Sequence, residues 1–246
     1  MKKFYKVALL EGEGLGTAYE YYVKRRLFIK LLGKEKHLDS FCVFGLPEKY
    51  GSSMDFCVLA DQVKAGRVVM LDEREEAVKK CSTAVARLKD EKIIPDSLVQ
   101  VKEGMLLRDD KYDFITNCDV FQRFNEEETI KMIEGAASNS KLSLFFIPNG
   151  FNVSHVAFPA RRSINPVDFV KKISDKVKVV RWGYIDMPPF PSGSKLSDEK
   201  KNAVKSGLFS FFVFLILRIW SIVEMLTPSF IKKRFAHAFY VVVKGK

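Results

Sequence analysis

Cysteine and histidine are scarce in this chain, and neither is spaced for a metal. Cys42, Cys57, Cys81 and Cys118 form no CxxC pair, which excludes zinc knuckles, and a disulfide framework is not expected. They read as reduced core residues of a cytoplasmic protein. His37, His155 and His237 lie far apart, so no metal site is expected. No long apolar run follows the two N-terminal lysines, and a secretory leader is therefore not expected. Internal repeats, low-complexity tracts and a GxGxxG turn are all missing; the last absence argues against a nicotinamide-dependent dehydrogenase. Acids are outnumbered, 30 Asp and Glu against 41 Lys and Arg, leaving a net charge of +11. That surplus suits a phosphate-bearing partner, either a nucleic acid or an anionic membrane surface.

What is present reads as an α/β chain. Its 246 residues suffice for one domain with a large core. The polar, glycine-rich LLEGEGLGTAY (9–19) leads into YEYYVKRRLFIKLL (19–32), whose apolar spacing predicts a helix. Strands are expected at 41–45, 67–72, 97–104, 112–121, 141–150 and 177–187, and helices at 54–66, 73–92, 125–137 and 167–176. This alternation predicts a parallel sheet covered on both faces. AFYVVVK (238–244) is the most strand-like run of all, and it lacks an ordinary crossover helix before it. One domain over 1–246 is expected, with a helical extension over 1–38 and an insertion over 188–236 that precedes the last strand.

Candidate site residues cluster at strand ends. FCVFG runs into Gly45 and turns to Gly51 before a helix, the position where doubly wound folds bind nucleotides. Asp72 closes the second strand about twenty residues after Gly51, the spacing of an acid that holds a ribose; Glu73 stands beside it and also suits a helix first turn. Asn117 and Asp119 end the fourth strand, and Asn149 with His155 follow the fifth. The two latter are candidate acceptor contacts. His155 is the one candidate general base, because an imidazole titrates near neutrality.

The succession FCVFG, VVMLD, VKEG, YDFITNCDVFQRF and LSLFFIPNG resembles the class I S-adenosylmethionine-dependent methyltransferases over roughly residues 15–187 plus the final strand. The resemblance implies a Rossmann-like, doubly wound, mostly parallel seven-stranded sheet whose antiparallel last strand lies between the fifth and sixth. It implies S-adenosyl-L-methionine as cofactor, with Gly45 and Gly51 near the methionine part, Asp72 at the ribose, Gly104 and Met105 by the adenine, and Asn117 and Asp119 toward the methionine end. Tyr19 or Tyr22 would cover the site. The family's acid-x-Gly-x-Gly is here Val43-Phe44-Gly45-Leu46-Pro47, and Met105 stands where an acid is common. The implied activity is methyl transfer to a small or lipid-like acceptor; RNA methylation and a non-catalytic scaffold are the rivals.

LFSFFVFLILRIWSIVEML (208–226) spans roughly 28 Å as a helix, close to a bilayer core. Arg218 and Glu224 interrupt it, each unfavourable by about 2.5–3.5 kcal/mol at a bilayer centre. Lysines and arginines flank both ends. If AFYVVVK joins the sheet, a single crossing would strand it on the wrong side. The segment is therefore expected to rest at a membrane interface, with Phe211, Phe212, Phe214, Trp220, Lys232 and Lys233 as contacts. Covering its own domain or forming a homodimer are the alternatives. The protein would then be peripheral at the cytoplasmic membrane face.

Overall fold

The structure is a computed structural model that describes residues 1–33, 37–46, 54–105, 111–117, 121, 123–153, 164–189 and 207–245, with 207–210 as backbone. Seven strands form one sheet: β1 (Ser40–Phe44), β2 (Arg67–Asp72), β3 (Val99–Glu103), β4 (Tyr112–Asn117), β5 (Ser140–Pro148), β6 (Lys178–Ile185) and β7 (Ala238–Lys244). Their spatial order is β3-β2-β1-β4-β5-β7-β6. The first five run parallel, and β7 lies antiparallel between β5 and β6, with Val241 opposite Phe145 on one side and Trp182 on the other. The expected doubly wound sheet and the place of its last strand are both present.

Helices cover both faces, so the central strands read as unbroken apolar runs. All five residues of β1 are buried. Alternate side chains serve opposite layers. Phe41, Val43, Met70, Phe146 and Val242 face one core; Cys42, Phe44, Leu71, Phe145 and Val241 face the other. The first core is closed by α1 (Lys2–Leu10), α2 (Leu15–Leu32), α3 (Asp55–Gln62) and α4 (Glu75–Asp90). Phe28 of α2 sits 4.9 Å, edge on, from Phe114 of β4. The second core is closed by α5 (Glu126–Ser138) and α6 (Pro166–Ser174).

Local chemistry accounts for the helix limits. Glu75 and Glu76 open α4 while Arg87 and Lys89 close it, in line with the macrodipole. Asn125 and Glu128 form a capping box at α5: the Asn125 carboxamide oxygen accepts from the Glu128 N–H at 2.9 Å, and Glu128 accepts from the Asn125 N–H at 2.8 Å. Pro166 takes the first turn of α6 behind an Asn165 cap. Cys42, Cys57 and Cys81 are free and buried; Cys118 lies outside the described residues.

Two helices fill the stretch before β7: α7 (Gly207–Leu226) and α8 (Ser229–Phe235). The apolar run predicts the first, α1 falls within the helical extension expected over 1–38, and α8 is missed because so short a segment carries little periodic signal. Helix α7 packs on the domain through a narrow stripe, Phe214, Leu217, Ser221 and Glu224, all buried. Phe214 lies 5.5 Å from the Tyr5 ring, and the Trp220 indole donates to the Met187 carbonyl at 2.7 Å. Phe214 is buried and Trp220 half-buried against the domain, which takes Phe214 out of its expected membrane role and leaves Trp220 partly exposed. Among the described residues no helix is long and apolar enough to cross a membrane.

The seating of β7 gives a direct test. Phe239 is fully buried and meets Phe169 edge on at 5.9 Å. Phe239→Ala is expected to cost about 3–5 kcal/mol in equilibrium urea unfolding. A loss under about 0.5 kcal/mol, typical of a surface change, would place β7 outside the core.

Candidate functional site

The carboxyl ends of β1, β2 and β3 converge through backbone bonds. The Gly45 N–H donates to the Leu71 carbonyl at 2.8 Å, and the Gly104 N–H to the Asp72 carbonyl at 2.9 Å. Gly45 has φ +70°, a region open to glycine at little cost, and this lets β1 turn sharply away from its end. A cavity of about 230 Å³ lies here, at the ligand-binding edge of an open α/β sheet. Phe44, Leu71, Met105, Phe124 and Met132 supply apolar walls; Gly45, Gly104 and Gly135 bring bare backbone; Asp72, Glu73, Arg123 and Lys131 supply charge. Five expected cofactor residues, Gly45, Asp72, Glu73, Gly104 and Met105, thus share one cavity. Its volume is below the roughly 300–1,000 Å³ of pockets that enclose a whole ligand, so it has room for a nucleoside-sized fragment.

Asp72 is the polar centre of the cavity. Its side chain is fully buried, and five donors reach it. One carboxylate oxygen accepts from the Arg74 N–H at 2.9 Å and from Arg74 Nε at 2.8 Å. The other accepts from the Leu46 N–H at 2.6 Å, Arg74 Nη2 at 3.0 Å and Arg123 Nη2 at 3.3 Å. Burial alone would raise the acid's pKa. The bonds from Arg74, then Leu46, then the Arg123 charge outweigh it and hold the carboxyl below its usual range. The apolar walls and the acid fit a nucleoside, yet the acid's acceptor sites already hold protein donors.

The remaining candidates lie elsewhere. Asn117 is buried, and its carboxamide bridges β4 to β5, donating to the Phe146 carbonyl at 3.1 Å and accepting from its N–H at 2.9 Å. Asn149 donates to the Lys233 and Ala236 carbonyls at 2.9 and 2.8 Å, which ties the end of α8 to β5. Asn152, unread in sequence, donates to the Phe235 and Ala236 carbonyls at 3.0 and 2.9 Å. Tyr22 is half-buried against the first core. Tyr19 is wholly buried and donates to Glu224 of α7. None of these lines the cavity. Gly51, Asp119 and His155 lie outside the described residues.

Sequence reasoning also missed a polar clasp at the base of the insertion. Glu224 accepts the Asp186 N–H at 2.9 Å and the Met187 N–H at 3.1 Å, besides the Tyr19 hydroxyl. Asp186 stands at φ +69°, a conformation Asp tolerates better than most residues. Its carbonyl accepts the His237 N–H at 2.7 Å, and its carboxylate lies 3.1 Å from His237 Nδ1. Burial pushes the Asp186 carboxyl up to about 6, against the pull of His237. Asp186 and His237 flank the insertion in sequence, yet no periodicity or motif marks them as partners.

No family model matches this sequence, and no curated protein does. Solved structures do match in fold. The magnesium protoporphyrin IX methyltransferase of Synechocystis PCC 6803, solved with bound SAH, superposes with a TM-score of 0.54 at 12% identity, over 94% of this chain and 88% of its own. The geranyl diphosphate C-methyltransferase of Streptomyces coelicolor A3(2) gives 0.55 at 9% identity, over 92% and 80%. The cyclopropane synthase MmaA2 of Mycobacterium tuberculosis gives 0.54 at 11%, over 91% and 84%. The fold is that of the class I S-adenosylmethionine-dependent methyltransferases.

The clasp carries two predictions. Glu224→Ala strands one hydroxyl and two backbone donors and is expected to cost about 3 kcal/mol in urea unfolding, with Glu224→Gln costing less. Asp186 has a folded pKa above its unfolded one, so its contribution to stability is present below about pH 4 and lost as pH rises through about 6. Asp186→Asn, which keeps a residue tolerant of positive φ, is expected to flatten the thermal-midpoint profile across that window. An unchanged profile would remove Asp186 as the titrating group.

Proposed function

We propose that this protein transfers a methyl group from S-adenosylmethionine to a small or lipid-like acceptor at a membrane surface. The observation that carries the reading is the inverted polarity of α7, anchored to the carboxyl edge of the same sheet that holds the nucleoside-sized cavity. An ordinary surface helix turns its apolar stripe inward. Here the buried stripe contains Ser221 and Glu224, while Phe211, Phe212, Ile216, Ile219 and Leu226 are 53–73% exposed. Such a continuous apolar face marks an interaction surface. Arg218 lies on the helix, and Lys232, Lys233 and Arg234 follow in α8. Each base contributes about 1 kcal/mol beside an anionic leaflet. Lys233 lies 3.9 Å from the Phe151 ring centroid and Lys232 is half-buried, so Arg234 is the most exposed of the three.

When bound, the cofactor supplies an electrophilic methyl group. The residues present here supply position and exclusion. Gly45 and Gly104 would admit close backbone approach, Phe44, Leu71 and Met132 would shield the base from water, and Asp72 would accept ribose hydroxyls once a resting donor gives way. Transfer to a nucleophile already aligned with the methyl group needs no protein nucleophile, because placement supplies much of the barrier reduction. Asn149 acts indirectly, tying the end of α8 to β5. His155 is retained as a candidate acceptor contact.

Calorimetry with S-adenosylhomocysteine is expected to show binding to the wild type. Asp72→Ala is expected to weaken it about 10- to 100-fold, the worth of one hydrogen bond to a charged group. No heat with the wild type would end the methyltransferase reading. Separately, the triple variant Phe211→Ser, Ile216→Ser, Ile219→Ser is expected to stop floating with phosphatidylserine-containing vesicles while retaining homocysteine-adduct binding. Equal flotation would reject the membrane surface. A wild-type dimer that the triple variant abolishes, without flotation, would reassign the face to self-association.

A further inference from the structure

Taking the cavity as the nucleoside pocket, one of its own residues blocks the acid that a ribose needs. A carboxylate offers about four lone-pair positions, and five donors already converge on Asp72. A ribose diol can be accepted only by displacing one of them. The Leu46 and Arg74 N–H groups belong to the backbone and stay. The Arg74 guanidinium is tethered by two bonds to Asp72 and a third, at 2.6 Å, to the Leu46 carbonyl.

Arg123 is held differently. It reaches in from the connection between β4 and α5, and its contact with Asp72 is the longest of the five, 3.3 Å. Its Nε is buried with no hydrogen-bond partner, an unfavourable state for an N–H group. The Phe124 ring lies 5.5 Å away, and the side chain is 17% exposed, which leaves it a route to solvent. Charge points the same way. Two guanidiniums face one buried carboxylate, so the departure of one leaves Asp72 and Arg74 as a neutral pair. Among the described residues, Glu73 and Lys131, the other charged groups of the cavity, are of opposite sign.

We infer that Arg123 is a displaceable counter-ion of Asp72: a nucleoside with a free 2′,3′-diol binds by exchanging its hydroxyls for the Arg123 guanidinium, and Arg123 thereby sets both the affinity for such ligands and the selection of the diol. Arg123 is a positioning residue that acts through Asp72.

The test is calorimetry of the whole chain with adenosine, 2′,3′-dideoxyadenosine and S-adenosylhomocysteine. Arg123→Gln is expected to bind adenosine and the homocysteine adduct about two- to fivefold more tightly than the wild type, the worth of a partly exposed ion pair. Dideoxyadenosine affinity is expected to stay unchanged, and Arg123→Lys to fall between. Added salt screens the competing pair, so wild-type adenosine affinity is expected to rise with ionic strength more than that of Arg123→Gln. Equal or weaker adenosine binding by the variant overturns the inference, as does an equal gain for dideoxyadenosine. If Arg123→Gln does not fold, the Lys variant and the wild-type salt series decide alone. The diol-dependent gain without homocysteine-adduct binding would leave Arg123 standing and reject the methyltransferase; no binding of any nucleoside would reject both.

Discussion

The pairing of β7 on both its edges constrains everything built above it. Val241 meets Phe145 on one side and Trp182 on the other, so a strand close to the C-terminus lies inside the sheet rather than at its margin. A strand there cannot leave without opening two ladders and uncovering Phe239 and Val243. Whatever precedes it must therefore begin at the end of β6 and return to the start of β7, a few ångströms away. The bonds between Asp186 and His237 mark that closure. This geometry excludes a single bilayer crossing by α7 more firmly than apolarity does, because the stretch that carries it leaves and re-enters the domain at one sheet edge, where Asp186 bonds to His237.

Closure alone would not fix which face of α7 looks inward. Burying Ile216 and Ile219 would be favoured by the hydrophobic effect, yet they remain exposed. Glu224 accounts for the difference. Its carboxylate accepts from Tyr19, Asp186 and Met187, and Arg26 reaches Ser221 at 2.7 Å. Turning the helix to hide its isoleucines would leave two backbone donors and a phenol unsatisfied in the interior, and an arginine without its acceptor. Buried polar groups here set the rotation of the helix rather than its adhesion, and the outward apolar face follows from them.

These polar constraints are the part that sequence reading could not reach. The strands were legible because β1, β2 and β7 are apolar runs between turn residues, a local property. Gly45 and Asp72 were legible because candidate residues at strand ends recur at fixed spacing along the chain, and Gly104 only through the family resemblance. Arg123 and Asp72 are 51 residues apart, and Tyr19 and Glu224 are 205 apart; no local pattern encodes either contact. Polarity misled in the opposite direction at Asn117 and Asn149. A carboxamide at a strand end suggests a ligand contact, but the backbone groups that outlast the ladder need partners too, and both side chains serve them. Phe214 misled because helix composition does not reveal helix rotation.

The same requirement bears on how a site acid must be read. Asp72, Asp186 and Glu224 are each buried near the carboxyl edge of the sheet, and of the three Asp72 lines the cavity. A carboxylate removed from water without donors is strongly unfavourable; Asp72 and Glu224 are given resting donors, whereas burial drives the pKa of Asp55, whose oxygens have no hydrogen-bond partner among the described residues, well up. Full hydrogen bonding therefore does not separate structural acids from binding acids. The separation lies in how firmly each donor is held. Glu224 is met by two backbone N–H groups and a wholly buried tyrosine, none of which can leave without unfolding a strand end or a core. Asp72 has one donor carried on a long side chain with a second N–H unpaired. Of Asp72 and Glu224, exchange is feasible at Asp72, and the proposed binding role of the cavity beside it rests on that difference in donors rather than on any difference between the acids.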